Sequence, residues 1–246
     1  MKTIYLFTAF LFFTYVVQAQ EIKPEATEDW STQPPQVTPG KNAGPPSDAI
    51  VLFAGEKDLG KWEHADSSAV KWTVKGSELT VTPRAKDIRT KQAFGNIQLH
   101  IEWKTPDPRE DRGNSRGNSG VLFMGLYELQ IYENYQYLHK IYYNGQAGSI
   151  YKQYAPLVNA CLPPQTWQTF DVVFEAPVFN TDRSMKTPAY ITVFHNGVLI
   201  QYHVAIKGPM VYAGYPEYQY HENKLPLVLQ EHNSRVSFRN IWLREF

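Results

Sequence analysis

Ile97, Leu99, Ile101 and Trp103 alternate with Gln98, His100 and Glu102, a period of two that suits a pleated strand and not a helix. On such a strand four apolar groups turn to a core and three polar groups to the opposite side. The pattern returns over residues 127–132, where Leu129 and Ile131 point one way and Glu128, Gln130 and Tyr132 the other. It returns again over 227–232, where Leu227 and Leu229 oppose Val228, Gln230 and His232. A last strand is expected over 235–244 through Val236, Phe238, Ile241 and Trp242, with its alternation broken at Asn240 by a bulge. Residues 190–194 and 198–204 flank His195, Asn196 and Gly197, and an Asn-Gly pair supplies the positive φ angles of a tight hairpin turn. No intervening span carries the 3.6-residue period of an amphipathic helix. The expected fold is therefore all-β, an antiparallel two-sheet sandwich or jelly roll, with a barrel as the structural alternative.

The 24 basic and 24 acidic side chains balance, which leaves no general attraction to nucleic acid or to an anionic membrane. One cysteine in 246 residues excludes a disulfide framework, and Cys161 reads as a small buried residue rather than a nucleophile. At the N-terminus, Lys2 precedes an apolar run over 4–17 that ends in Val17, Gln18 and Ala19. That run is too short to span a bilayer and has the form of a signal peptide over 1–19, so the chain is expected to be exported, periplasmic or extracellular, with no membrane span. No cysteine near Ala19 offers a site for lipid attachment. Residues 20–47 carry six prolines and form a linker or arm, and one domain is expected over 48–246.

The chain contains no nucleotide loop of the GxxxxGK type, HExxH helix, GxSxG elbow or paired CxxC. The Gly-rich run 112–120 leads into a strand at Val121 without a lysine or helix after it, and reads as a flexible connection rather than a phosphate loop. What remains is a set of polar pairs at i, i+2 spacing: His100 with Glu102, Glu128 with Gln130, and Gln230 with His232. Each pair shares one sheet face, as the groups of a polar ligand site would, and as a plain solvated face also would. Aromatic residues make up 14% of the chain, and Tyr127, Tyr132, Tyr135 and Tyr137 could stack on sugars or simply pack within sheets.

Ordered motifs carry a resemblance. Leu52, Phe53, Ala54, Gly55 and then Leu59, Gly60, Lys61, Trp62 resemble the LFNGKDLSGW opening of the 3-keto-disaccharide hydrolase family. Asn118, Ser119, Gly120 resemble its NSG turn, and Tyr127, Glu128, Leu129, Gln130, Ile131 its YELQI strand. Gly148, Ser149, Ile150, Tyr151 with Ala155, Pro156 stand where that family has GxIY and AP, and Trp167 where it has the tryptophan of EWN. Leu229, Gln230, Glu231, His232 and Phe238, Arg239, Asn240, Ile241 resemble LQxH and FRNI. Departures are Glu133 for a frequent Asp, Asn233 for Gly, Gln165 and Gln168 around Trp167, and a long loop over 176–188.

The resemblance implies a concanavalin-like jelly roll with its ligand site on the concave face of one sheet. It also implies glycosides oxidised to a ketone at sugar carbon 3 as substrates, so the expected partner is a small carbohydrate. Such a ketone acidifies the hydrogen on carbon 2 and makes elimination of the carbon 1 substituent feasible. On this reading Glu128 or His232 is the base, and Arg239 or a divalent cation stabilises the enolate. Asn118, Gln130 and Gln230, with His100 and Glu102, are expected to bind sugar hydroxyls. Arg239 has a second reading, as the partner of an acidic neighbour across the strands. No cofactor is signalled, and no ligand spacing diagnoses a metal. A carbohydrate-binding module without catalysis and a structural or adhesion domain are the competing functions.

Overall fold

The computed structural model describes residues 22–109, 116–138 and 140–246. The expected signal peptide and the first part of the Gly-rich run, 112–115, lie outside these. The chain divides into two units, one ending at Gln36 and one beginning at Val37. Every described residue of the first is exposed, with a single 3-10 turn over Pro24–Thr27.

The described residues of the second unit form fifteen strands. In chain order they are β1 (Ile50–Phe53), β2 (Trp62–His64), β3 (Thr73–Lys75), β4 (Glu78–Thr80), β5 (Ile88–Phe94), β6 (Ile97–Lys104), β7 (Ser119–Phe123) and β8 (Tyr127–Ile131). There follow β9 (Gln168–Glu175), β10 (Val178–Phe179), β11 (Met185–Thr187), β12 (Tyr190–His195), β13 (Val198–Ala205), β14 (Leu225–Leu229) and β15 (Ser237–Glu245). Only short 3-10 turns interrupt them, and the described residues contain no α-helix.

Every strand pair is antiparallel. One sheet runs β13-β12-β9-β6-β15-β4-β3, with β1 added against β15, and the other runs β2-β5-β14-β7-β8. The two face each other across the core, where Phe123 of the smaller sheet stacks on Phe174 of the larger with ring centres 4.8 Å apart, and Tyr127 lies 5.8 Å from the same ring. Ile97, Leu99, Ile101 and Trp103 on β6 and Leu129 and Ile131 on β8 are all buried, as their alternation requires. This is the two-sheet sandwich expected of the sequence.

Local geometry follows residue type. Asn196 and Gly197 turn the β12–β13 hairpin at φ 52° and 78°, angles that this dipeptide tolerates well. Asn240 sits at φ 46°, where the pairing of β15 with β6 slips between Arg239 and Trp242. The long loop over 176–188 contains the β10–β11 hairpin, away from either main sheet's pairing.

Candidate active site

On β8, Tyr127, Leu129 and Ile131 turn to the core, so Glu128 and Gln130 project from the opposite, outer face of the five-stranded sheet. β7 lies beside them in the register Gly120↔Gln130 and Leu122↔Glu128, and β14 continues the row with Val228↔Leu122. Gly120 leaves the space that the Glu128 side chain fills. A Cβ on Gly120 would stand 2.5 Å from Glu128 Oε1 and 3.1 Å from its carboxyl carbon. The end of β14 is tied to the same place, for Gln230 N–H donates to the Gly120 carbonyl at 3.0 Å and Ser119 Oγ–H to the Gln230 carbonyl at 2.7 Å. Two residues on, His232 Nδ1 lies 3.2 Å from the Asn118 amide nitrogen. With that amide donating, the ring proton sits on Nε2.

These groups floor a chamber of about 230 Å³, closed by Tyr132, Ile141, Tyr142, Tyr151, Met210 and Tyr212. It opens into a wider vestibule of about 830 Å³ that shares Asn118, His232 and the same tyrosines. Tyr142 O–H donates to the Tyr151 oxygen at 2.9 Å, which leaves the Tyr151 proton free to be donated in turn. Gln130 Oε1 and Gln230 Oε1 are buried and have no hydrogen-bond partner among the described residues. Native interiors rarely leave buried acceptors unsatisfied, so two at one site mark a place for donors from outside the protein.

Glu128 dominates the electrostatics. It is 4% exposed, and among the described residues no hydrogen bond or ion pair reaches its carboxyl. The nearest candidate cation in its row, Arg89, is held by Glu63 at 2.8 Å. Burial, with the Asp87 charge adding to it, pushes Glu128 up to about 7. Asp87 is raised too, by burial, although the Glu231 N–H donates to it at 2.7 Å and His232 and His64 favour its charged form. The Tyr151 hydroxyl is pushed well above the ordinary phenol range by burial, by Tyr142 and by Glu128 itself, and so keeps its proton.

Of the residues singled out from sequence, Glu128, Gln130, Asn118, Gln230 and His232 converge here. His100, Glu102 and Arg239 do not, and the expectation of a single hollow is corrected for these three. They lie on the outer face of the larger sheet, where Arg239 pairs across β15 and β6 with Glu102. Arg239 Nε donates to Glu102 Oε2 at 2.5 Å, and its guanidinium lies over the Trp167 ring, 4.2 Å from the centre. Burial works against ionisation of Glu102, but hydrogen bonds from Asn240 and Arg239 outweigh it and hold its pKa low. His100 is buried against Trp242, with Nδ1 2.6 Å from Asp171. The physical reason is topological: sequence alternation assigns a face to each strand but not the sheet to which that strand belongs.

Among the tyrosines, Tyr132 lines the chamber, whereas Tyr127 belongs to the core and bonds His221 Nε2 through its hydroxyl at 2.7 Å. Tyr137 edges a side recess next to Lys140. Sequence reasoning missed Asp87, Tyr142 and Tyr212, which come from loops without a periodic signal. Tyr151 was visible only within the GSIY motif. Cys161 is half-buried rather than fully so, and burial pushes its thiol up to about 12, which keeps it an unreactive thiol. The described residues hold no group of three or more His, Cys, Asp and Glu placed to bind a metal ion. None of their helices is long and apolar enough to cross a membrane.

Residues 48–244 match the model of a family described as the 3-keto-alpha-glucoside-1,2-lyase-like domain. A Parabacteroides distasonis protein of solved structure, provisionally named a glycosyl hydrolase, is 42% identical, with a TM-score of 0.85 over 92% of this chain and 97% of that one. A second structure of the same provisional name and organism is 18% identical, with a TM-score of 0.59 over 81% of this chain and 94% of that one, which shows a shared fold. No curated protein matches.

Proposed function

We propose, from the premise that the chain belongs to the 3-keto-alpha-glucoside-1,2-lyase-like domain family, that it is a glycoside-cleaving enzyme whose substrates carry a ketone at sugar carbon 3. The observation that carries this is Glu128: a buried carboxyl with no partner among the described residues, its pKa pushed up to about 7, on the floor of a chamber otherwise lined by amides, tyrosines, two apolar side chains and His232. A carboxylate of that kind is a stronger base than an exposed one and is still ionised in part at neutral pH.

In this mechanism the Glu128 carboxylate takes the proton from carbon 2, which the neighbouring ketone has acidified. The electron pair forms the carbon 1–carbon 2 double bond as the bond from carbon 1 to the glycosidic oxygen breaks. His232 Nε2–H hydrogen-bonds the ketone oxygen, where enolate charge gathers. The Tyr151 hydroxyl, aligned by Tyr142, protonates the departing oxygen. Gln130 and Gln230 accept bonds from sugar hydroxyls through their unpartnered oxygens. Water then attacks carbon 1 of the enone and gives its proton to the Tyr151 phenolate, while Glu128 returns its proton to carbon 2 to complete a net hydrolysis. Arg239 takes no part, and no step is routed through a metal.

Glu128→Gln and His232→Ala are the direct variants. With a 3-keto-glucoside as substrate, loss of the base lowers kcat at least about 100-fold, while a fold with a purely sugar-binding role shows no turnover in the parent protein. Full activity in both variants removes the assignment. The same reading places the enzyme outside the cytoplasm, on the strength of Lys2, the apolar run 4–17 and Ala19. N-terminal sequencing of the native protein tests this, with Gln20 as the expected first residue of an exported fraction.

A further inference from the structure

The vestibule is larger than the chamber below it, and its walls are chemically one-sided. Tyr132, Tyr142, Tyr143, Tyr151 and Tyr212 line it with Lys140, and no carboxylate is among its described lining residues. Tyr143 and Tyr212 are 77% and 80% exposed, so these rings present their faces to whatever enters. Behind that wall stands a second cation, Lys152, whose Nζ lies 4.3 Å from the centre of the Tyr212 ring and 5.6 Å from that of Tyr151. It donates to the Tyr212 carbonyl, and the lysines that pair with carboxylates among the described residues are Lys61, Lys86, Lys104 and Lys224, not Lys140 or Lys152. A sugar ring held over Glu128 with its carbon 1 substituent toward Tyr151 would send its leaving group into this space.

We propose that the vestibule is the leaving-group subsite and that it selects a planar aromatic aglycone bearing an anionic group. Aromatic rings stack on tyrosine faces in offset or edge-on arrangements, and a carboxylate or sulfate on the far side of such a ring meets the Lys140 ammonium, with the Lys152 charge behind the tyrosine wall adding to the attraction. A second sugar would stack on the same rings but would leave the Lys140 charge without a counterpart. The proposal rests on the keto-glycoside reading of the chamber, and its test separates the two.

The test is steady-state kinetics of the full chain with four 3-keto-glucosides, whose aglycones are methyl, cyclohexylmethyl, benzyl and 4-carboxybenzyl. The methylene in the last three keeps the departing alkoxides closely similar, so differences report binding rather than leaving ability. KM should fall in that order, with the benzyl compound about threefold to tenfold below cyclohexylmethyl from stacking and the carboxylate up to about fivefold lower again. In Lys140→Met the carboxylate's advantage should shrink, and raised salt should shrink it in the parent protein. Equal KM for benzyl and cyclohexylmethyl, or a lower KM for a 3-keto-disaccharide assayed alongside the four than for the benzyl compound, overturns the proposal while leaving the keto-glycoside reading intact. If none of the four is turned over, that reading fails. The subsite is then judged by calorimetry with 4-(hydroxymethyl)benzoate, whose binding must exceed that of the corresponding amide and weaken in Lys140→Met.

Discussion

Glu128 shows how a single residue can cost stability where it serves chemistry. Its carboxyl has an ordinary pKa of 4.5 and is pushed up to about 7 by burial and by Asp87. The folded state therefore binds its proton more tightly than the unfolded state does, and stability attributable to this group falls as pH rises from about 4.5 to about 7. Below that window both states are protonated and no penalty exists. Above it the penalty is complete, about 3 kcal/mol. Glu128→Gln should thus melt several degrees above the parent at pH 8 and close to it at pH 4, which paired thermal melts at the two pH values will read. Activity should follow the opposite course, since the base must be ionised: kcat should rise with pH through about 7. A pH-independent difference in Tm would mean that Glu128 is solvated and that the chamber is not the low-dielectric site described. The nearby glycine was legible in sequence as part of an NSG turn, but its task of clearing space for Glu128 was not, because that depends on the register of β7 against β8.

At the scale of strands, alternation told which side chains share a face and nothing about which faces meet. β6 and β8 read alike, with buried apolar groups on one side and Glu, Gln or His on the other. One carries the ion pair of Glu102 with Arg239, the other the chamber floor. Arg239 was doubly hard to place, since the slip at Asn240 makes its phase relative to the rest of β15 unreadable from sequence. Placing it outside the chamber has a consequence. Arg239→Ala should leave kcat for a 3-keto-glucoside within about twofold, and should lower stability by about 1–3 kcal/mol through the strongly shielded Glu102 carboxylate that loses its partner. Denaturant melts and kinetics on the one variant measure both. A hundredfold loss of kcat with unchanged stability would return Arg239 to the reaction.

Over the molecule as a whole, the family match begins at residue 48 while the compact unit begins at Val37. The difference has a structural basis: the Ala43 carbonyl accepts hydrogen bonds from Trp242 Nε1 and Asn240 Nδ2, both at 3.0 Å, and so covers the outer face of the larger sheet beside the bulge. A chain trimmed to start at Asp48 should keep its fold and lose about 2 kcal/mol, or roughly 4–8 °C in Tm. An unchanged Tm would make the 37–47 segment a passive tether. The sequence by itself determined the strand-forming segments, the Asn-Gly hairpin, the bulge at Asn240 and the residue types available for chemistry. These follow from neighbours along the chain, whose side-chain directions are fixed by local backbone geometry. Only tertiary structure decided that Glu128, Gln230 and His232 meet while His100, Glu102 and Arg239 gather elsewhere, that Tyr142, Tyr151 and Tyr212 close the chamber, and that the Asp87 charge bears on Glu128. Those choices depend on strand order and on desolvation by distant segments, and neither leaves a periodic trace in the chain.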